Sequence, residues 1–274
     1  MEQGRLTKEE RKNIRDKTLE SLNALTPESG IEATAGIAPL LVPDPKAAPG
    51  QNGLRVGRET ILEVIDAVDK KIRSKAKRSA LVEALWSTGS GECRVAAALL
   101  LPPLLPAPNE EEEAIAVERV RAYLAATDSP AVREALADAV SRELEAGRDD
   151  SWNRAFKVWR SETDPRYRVF GVAAYARLLS RGKAPEKLFD GLMVARRHAA
   201  DSDPMVRRSV VQLLLAGARR QALAVSRFVA RFEEDDREEV RALAVEVLPR
   251  VRRERDQETG AAPGEADGAG VALS

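Results

Sequence analysis

Cys93 and His198 are residue types that often act as nucleophiles, bases or metal ligands, and each occurs only once in this 274-residue chain. A Cys–His nucleophilic pair needs both side chains adjacent in the fold, and a structural zinc site needs about four such ligands. The sequence also contains no phosphate-binding glycine loop, no G-x-S-x-G and no H-E-x-x-H motif. It therefore predicts no metal, no cofactor and none of these forms of catalysis.

Basic side chains between residues 187 and 231 have a spacing suited to phosphate binding. Three arginines follow one another at offsets of 7 and 11, which predicts that they share one helix face, and three further cations fall on the predicted preceding helix. Such cations attract nucleic acid because they displace counterions from its phosphates. The alternative is a solvated helix face whose arginine stems cover apolar surface. The predicted nucleic-acid-binding residues are Lys187, Arg196, Arg197, Arg220, Arg227 and Arg231.

A second basic cluster occurs in the segment 70–78, which contains six lysines and arginines. The same two interpretations apply to it, a phosphate-binding surface or a solvated helix face.

The three tryptophans, Trp86, Trp152 and Trp159, lie within apolar patterns. Trp152, Phe156 and Trp159 stand at offsets of 4 and 7, which is the spacing of residues on the buried face of a helix. The pattern therefore predicts core positions. The alternative is an aromatic platform on which nucleic-acid bases stack.

An apolar residue followed by arginine recurs five times, at spacings of 39, 35, 39 and 34 residues. Small or apolar residues stand three and seven positions after each arginine, which describes one helix face. Another apolar-periodic segment precedes each of these helices, and two helices per ~34–47 residues is typical of HEAT or armadillo repeats. The sequence therefore predicts an all-α, HEAT/armadillo-like helical-repeat solenoid of about five helical hairpins. The repeated arginines are Arg94, Arg133, Arg168, Arg207 and Arg241.

An aspartate precedes the repeated arginine in four repeats. This recurrence predicts a structural ladder, in which each aspartate caps a helix and each arginine bridges neighbouring turns, since a binding residue need not recur in every repeat. The aspartates are Asp128, Asp164, Asp203 and Asp236.

The N-terminal region differs from the repeats. Thr7 and Glu10 predict a capping box that starts a helix ending at about Leu25, and a short helix is predicted near 31–41 within a stretch rich in proline and glycine. The predicted domains are an N-terminal helix and connection at 1–55, the solenoid at 56–253, and a disordered tail at 254–274.

The net charge of zero hides a marked segregation of charge. Residues 107–150 contain 5 basic and 12 acidic side chains, a net charge of −7, whereas 151–253 contain 22 and 13, a net charge of +9. No apolar run reaches the ~20 residues of a membrane span, and a single cysteine fits a reducing compartment. The sequence therefore predicts a cytoplasmic protein without a membrane partner.

Three segments resemble the bacterial DNA alkylation repair family, whose members are HEAT-like-repeat alkylpurine DNA glycosylases. Residues 85–96 resemble the family's Leu-Trp segment followed by Glu-x-Arg-x-x-Ala, and 159–168 resemble its tryptophan, polar turn and arginine-bearing helix. Residues 203–210 resemble its late Asp…Val-Arg helix. The likeness extends over roughly 57–250 and implies a shared helical scaffold that contacts DNA.

The resemblance also implies which residues a glycosylase would need. In the family, base release is attributed to an aspartate one turn beyond a tryptophan, to a second tryptophan in the late helix, and to an arginine. In this sequence the segment 126–135 contains no tryptophan, Gln212 or a neighbouring leucine stands where the second one falls, and the arginine position reads Arg168-Val-Phe-Gly. Asp128 and Glu134 are the carboxylates near the acidic position and are the catalytic candidates.

Three functions follow as hypotheses. The first is a non-catalytic protein of this scaffold that binds DNA through a basic face. The second is a protein–protein interaction scaffold of the same architecture, which the acidic segment 107–150 would suit. The third is a divergent alkylpurine DNA glycosylase that uses Asp128 or Glu134.

Overall fold

The described part of the chain is entirely helical. A computed structural model describes residues 6–41, 58–106 and 109–259. Within these ranges there are twelve α-helices and four short 3₁₀ helices, and no strand. The prediction of an all-α protein is confirmed.

The chain divides into two compact units, Met1–Trp152 and Asn153–Ser274. The helices of unit 1 are α1 Lys8–Ser21, α2 Ile31–Ile37, α3 Arg58–Lys71, α4 Lys75–Ser87, α5 Gly91–Leu99, α6 Glu110–Ala125 and α7 Pro130–Glu145. Helix α8, Asp150–Trp159, contains the boundary between the units. The helices of unit 2 that follow are α9 Pro165–Arg181, α10 Leu188–His198, α11 Pro204–Ala230 and α12 Glu238–Thr259.

Each repeated arginine lies on a helix that is preceded by another helix, as the sequence pattern predicts. The pairs are α4 with α5, α6 with α7, α8 with α9, α10 with the first part of α11, and the last part of α11 with α12. Within unit 2, α11 packs between α9 and α12. The stacking of all five pairs into one solenoid stays a prediction.

Helix α11 is interrupted at Gln221, where the backbone adopts φ −146° and ψ 60°. The interruption separates 204–220 from 222–230, which we call distal α11. Arg220 therefore ends the first part, Arg227 lies in distal α11, and Arg231 is its C-cap. The prediction that these three arginines share one helix face is wrong, because the regular rotation of the helix is lost between the first and the second.

Aspartate caps begin two of the arginine-bearing helices. The side chains of Asp164 and Asp203 accept hydrogen bonds from the backbone N–H of Arg166 and Met205, and proline follows each at the first helical position. Asp128 does not cap α7, because Ser129 is the N-cap and forms no side-chain cap bond. The predicted capping role is thus correct for two aspartates and wrong for Asp128. It is also wrong for Asp236, because Arg237 stands directly before α12 and its backbone N–H bonds to Asp235.

The three tryptophans are core residues, as their spacing predicts, with exposed fractions of 8%, 3% and 2% for Trp86, Trp152 and Trp159. Around them the core consists mostly of alanine, leucine and valine, which allow close approach of helices. No helix in the described ranges has the length and apolar character needed to cross a membrane.

The N-terminal predictions match the described residues. Thr7 and Glu10 form the capping box of α1, and a 3₁₀ helix continues that segment to Ala24. The predicted short helix is present as α2 with a 3₁₀ helix at Ala38–Leu41. The remainder of the predicted connection, from residue 42 to residue 55, lies outside the described residues. The prediction of a disordered tail from residue 254 is wrong for residues 254–259, which belong to α12, and the rest of that tail lies outside the described residues.

Candidate nucleic-acid interface

The six predicted nucleic-acid-binding residues all belong to unit 2 but do not lie together: two lie near the start of α10, three lie near its end, and Arg227 lies within distal α11. Lys187 is the N-cap of α10, where its Nζ lies 3.8 Å from an Asp190 carboxylate oxygen. Arg220 also lies near the start of α10, because the neighbouring Gln221 side chain donates a 3.3 Å hydrogen bond to the carbonyl of Pro185. The Arg220 guanidinium also lies so close to Gly182, a residue with φ +64°, that a side chain at that position would collide with it.

Three of the arginines lie at the C-terminal ends of α10 and distal α11. We call Arg196, Arg197 and Arg231 the α10-end arginines. Arg196 and Arg197 occupy the last turn of α10, and Arg231 ends distal α11. All three are exposed, and none forms a hydrogen bond or salt bridge with any residue in the described ranges. The pKa of Asp235 is lowered mainly by hydrogen bonds from Arg237 and in part by the charge of Arg196, which places Arg196 beside the turn that follows Arg231.

The repeated arginines are largely structural. Arg94 donates to the carbonyls of Trp86 and Ala126, so it joins two successive interhelical turns. Arg207 and Arg241 instead donate to carbonyls in the turn before their own helix, at 2.6–3.0 Å and 2.7–2.8 Å respectively. The predicted ladder is therefore present at Arg94, whereas Arg207 and Arg241 each brace a single turn. Arg133 forms no side-chain hydrogen bond or salt bridge within the described residues.

A buried charge cluster surrounds Arg168. Its Nε and Nη2 donate to the two carboxylate oxygens of Asp201 at 2.8 and 3.2 Å, and Nη1 donates to the carbonyl of Glu162 at 2.5 Å. Burial raises the pKa of Asp201, but hydrogen bonds from Arg168 and from the Asp203 backbone outweigh it and leave that pKa below its ordinary value. Arg168 thus ties the turn before α9 to the turn before α11.

His198 lies beside this cluster, with its Nδ1 3.7 Å from a carboxylate oxygen of Asp201. Burial lowers the pKa of His198, although Asp201 opposes the shift. The imidazole is therefore mainly neutral at pH 7 and serves as a buried polar group of unit 2. Cys93 is buried in unit 1, and the described residues contain no group of three metal-ligating side chains.

The catalytic candidates Asp128 and Glu134 are both exposed in unit 1. Asp128 lies in the turn before α7, and Glu134 lies on the outer side of α7, one turn before Asp138. Helix α7 contains no aromatic residue, and the aromatic Trp86 of α4 is stacked inside the core on Tyr123. The α7 surface therefore offers a carboxylate without an aromatic ring on the same helix.

A groove of about 890 Å³ lies between the first part of α11 and α12. Gln212, one of the residues expected from the resemblance near the position of the family's second tryptophan, is exposed and lines it. The remaining lining residues include no aromatic side chain and combine three arginines with three glutamates: Arg207, Arg208, Arg250, Glu238, Glu239 and Glu246. The groove is therefore charged and able to form hydrogen bonds, but it has no ring on which a base could stack.

Arg208 and Arg250 line this groove but were not among the predicted binding residues. Their signal was present in the spacing, because 204, 208 and 212 on α11 and 238, 242, 246 and 250 on α12 each recur every four residues. The repeat pattern defined the buried faces of these helices but did not indicate which solvent faces meet across a groove.

The sequence profile of a family described as DNA alkylation repair enzyme matches residues 56–258. The chain belongs to this family. The match begins just before α3 and continues almost to the end of α12, so the DNA alkylation repair scaffold includes every repeated arginine. No curated protein sequence matches the chain.

Proposed function

We propose that this member of the DNA alkylation repair family binds duplex DNA through unit 2 and does not release alkylated bases. The observation that carries the proposal is the set of α10-end arginines, which are exposed and form no hydrogen bond or salt bridge in the described ranges. An arginine of this kind adds little to the fold, and its guanidinium can contact a phosphate with two parallel hydrogen bonds.

The charge balance supports unit 2 as the DNA-binding half. Residues 153–274 include 23 lysines and arginines and 18 aspartates and glutamates, whereas residues 1–152 include 21 and 26. Unit 1 also has much of its basic charge engaged, as in the ion pairs of Arg11 and Arg15 with Glu63 and the bidentate pair of Arg148 with Glu143. The net charge is therefore +5 for unit 2 and −5 for unit 1.

Replacing all three α10-end arginines by alanine is expected to weaken DNA binding. Each lost phosphate contact lowers the salt dependence, so the slope of log affinity against log salt should fall in magnitude by about 3. The measurement is fluorescence anisotropy of a labelled duplex titrated with protein at about 50 and 200 mM salt.

The matched control replaces Lys8, Lys12 and Lys17 by alanine. These exposed lysines of α1 lie outside the family match, and their loss changes the net charge by the same amount. We expect the control to bind like the unaltered protein. An equal loss in both variants would show that net charge alone governs binding, and no binding of the unaltered protein at about 50 mM salt would favour the protein-scaffold alternative.

The second half of the proposal concerns catalysis. With a duplex carrying 7-methylguanine, we expect no release of the base above the spontaneous rate, because neither α7 nor the α11–α12 groove presents an aromatic ring to hold a cationic nucleotide. Release of the free base is measured by chromatography for the unaltered protein and for Asp128→Ala and Glu134→Ala. Release that disappears in either variant would establish the divergent glycosylase instead.

A further inference from the structure

The charge distribution has a second feature, which takes no part in the proposed DNA binding. The acidic segment 107–150 has a net charge of −7, and its excess is concentrated at the start of α6, where four consecutive glutamates occupy the first turn. Negative charge in the first turn is stabilised by the positive end of the helix dipole. In addition, two acidic side chains of α6 flank an exposed apolar residue.

That apolar residue is Ile115, which is 55% exposed. Glu111 and Glu118 stand four residues before it and three residues after it, so all three project from one side of α6. Both glutamates are exposed. We call Glu111, Ile115 and Glu118 the acidic stripe.

Unit 2 has exposed apolar side chains that are accompanied by positive charges. Phe189 near the start of α10 is 69% exposed, and Leu223 near the start of distal α11 is 50% exposed. The two helix starts are neighbours, because Gln221 bonds to the Pro185 carbonyl and because Leu188 and Val225 both pack against Gly217. Phe189 and Leu223 therefore lie near neighbouring helix starts, and groups of exposed large apolar side chains commonly mark binding surfaces.

Two arginines accompany these apolar side chains. Arg227 follows Leu223 by four residues, on the same side of distal α11, and Arg220 ends the first part of α11, directly before the interruption at Gln221. Both are exposed and form no salt bridge or hydrogen bond within the parts of the chain that the structure describes. We call Phe189, Arg220, Leu223 and Arg227 the basic patch.

We propose that the basic patch of one molecule docks on the acidic stripe of a second copy of the same chain. Ile115 packs against Phe189 and Leu223, and the two glutamates pair with the two arginines at the rim of this contact. The partner is identified by complementarity, since each surface has apolar side chains flanked by two charges and the charges are opposite. A contact between two different surfaces closes into a dimer when it is made twice, or repeats in an open chain.

Association of this type must depend on salt and concentration. Exposed ion pairs contribute little individually and are screened at high ionic strength, while their complementarity determines which surfaces meet. We therefore expect sedimentation velocity at about 50 mM salt to show an average mass that rises above 29.9 kDa with protein concentration. At about 500 mM salt the protein should sediment as a monomer.

Charge reversal tests the proposed pairing directly. One variant reverses the basic patch with Arg220→Glu and Arg227→Glu, and the other reverses the acidic stripe with Glu111→Lys and Glu118→Lys. Each variant alone should be monomeric, because its two surfaces now have the same sign. An equimolar mixture should associate again, since the reversed patch of one variant complements the reversed stripe of the other.

Recovery on mixing also shows that the variants are folded, because misfolded proteins would not restore the contact. A monomeric unaltered protein at all concentrations in low salt would overturn the proposal, and so would a mixture that stays monomeric. The variant Phe189→Ser should also be monomeric while its affinity for duplex DNA is unchanged. That result separates self-association from the DNA-binding proposal, which depends on the α10-end arginines.

Discussion

Replacing Arg168 by alanine is expected to lower the free energy of unfolding by about 3 kcal/mol. The side chains of Arg168 and Asp201 are only 13% and 10% exposed, and two hydrogen bonds join them. The substitution leaves the Asp201 carboxylate buried without its main cationic partner, and it also removes the donor to the Glu162 carbonyl. Urea unfolding followed by circular dichroism measures the effect.

The loss should depend on pH in a defined direction. Because the pKa of Asp201 is lowered in the folded protein, its ionised form stabilises the fold above the pKa of the unfolded state, and this contribution disappears as the pH falls through the lowered value. The difference in stability between the unaltered protein and Arg168→Ala should therefore be full at pH 7 and shrink below about pH 4.

Arg208→Ala is the matched control for this prediction. Arg208 is an exposed arginine of α11 in the same unit, and it forms no salt bridge or hydrogen bond in the described ranges. Its removal should change the free energy of unfolding by less than about 0.5 kcal/mol. Equal effects of the two substitutions would contradict a stabilising role for the Arg168–Asp201 pair.

The helix pairs could be predicted from the sequence because each depends on local signals. An apolar residue followed by arginine marks the buried face, and Asp164 and Asp203 followed by proline mark helix starts. The interruption at Gln221 lacked such a signal, because neither proline nor glycine stands in the segment 218–223. Packing of Leu188 and Val225 against Gly217 accompanies the change of direction there, and contacts of this kind are not visible in a helical pattern.

The sequence identifies the basic residues, but it does not predict where the fold places them. Lys187 and Arg197 belong to one short segment of sequence, but α10 separates them by about 15 Å, since a helix rises about 1.5 Å per residue. Arg78 shows the same limitation in unit 1. Its charge belongs to the basic segment 70–78, yet it is 5% exposed and bonds to Asp69 and to the Ile72 carbonyl. A charged residue type indicates a binding surface only after its burial and partners are known.

The family resemblance concerns which aromatic rings are missing, and the structure gives the positions of the residues that are present. The residue types at positions 128, 134 and 212 follow from the sequence, and the resemblance implies that two aromatic rings of the family are missing. The structure adds that Gln212 lines a groove and that the three tryptophans of the chain are buried. The family match extends over the helical framework with its bracing arginines.

Replacing Trp86 by alanine is expected to lower the free energy of unfolding by about 3–5 kcal/mol. Its ring stacks on Tyr123 with a centroid distance of 3.8 Å and an angle of 10°, and Arg94 lies 5.1 Å from its centre on the way to the carbonyls that it bridges. Burial raises the pKa of the Tyr123 hydroxyl, as expected for a phenol held within the core.

The same substitution distinguishes a core tryptophan from a platform for nucleic-acid bases. A base could stack on Trp86 only by displacing Tyr123, so the DNA affinity of the folded fraction should be unchanged in Trp86→Ala. Trp86→Phe keeps an aromatic ring in the stack and should lose less stability. If Trp86→Ala remained fully folded but bound the labelled duplex more weakly, the ring would have to leave the core to meet the DNA, and the aromatic-platform interpretation would replace the structural one.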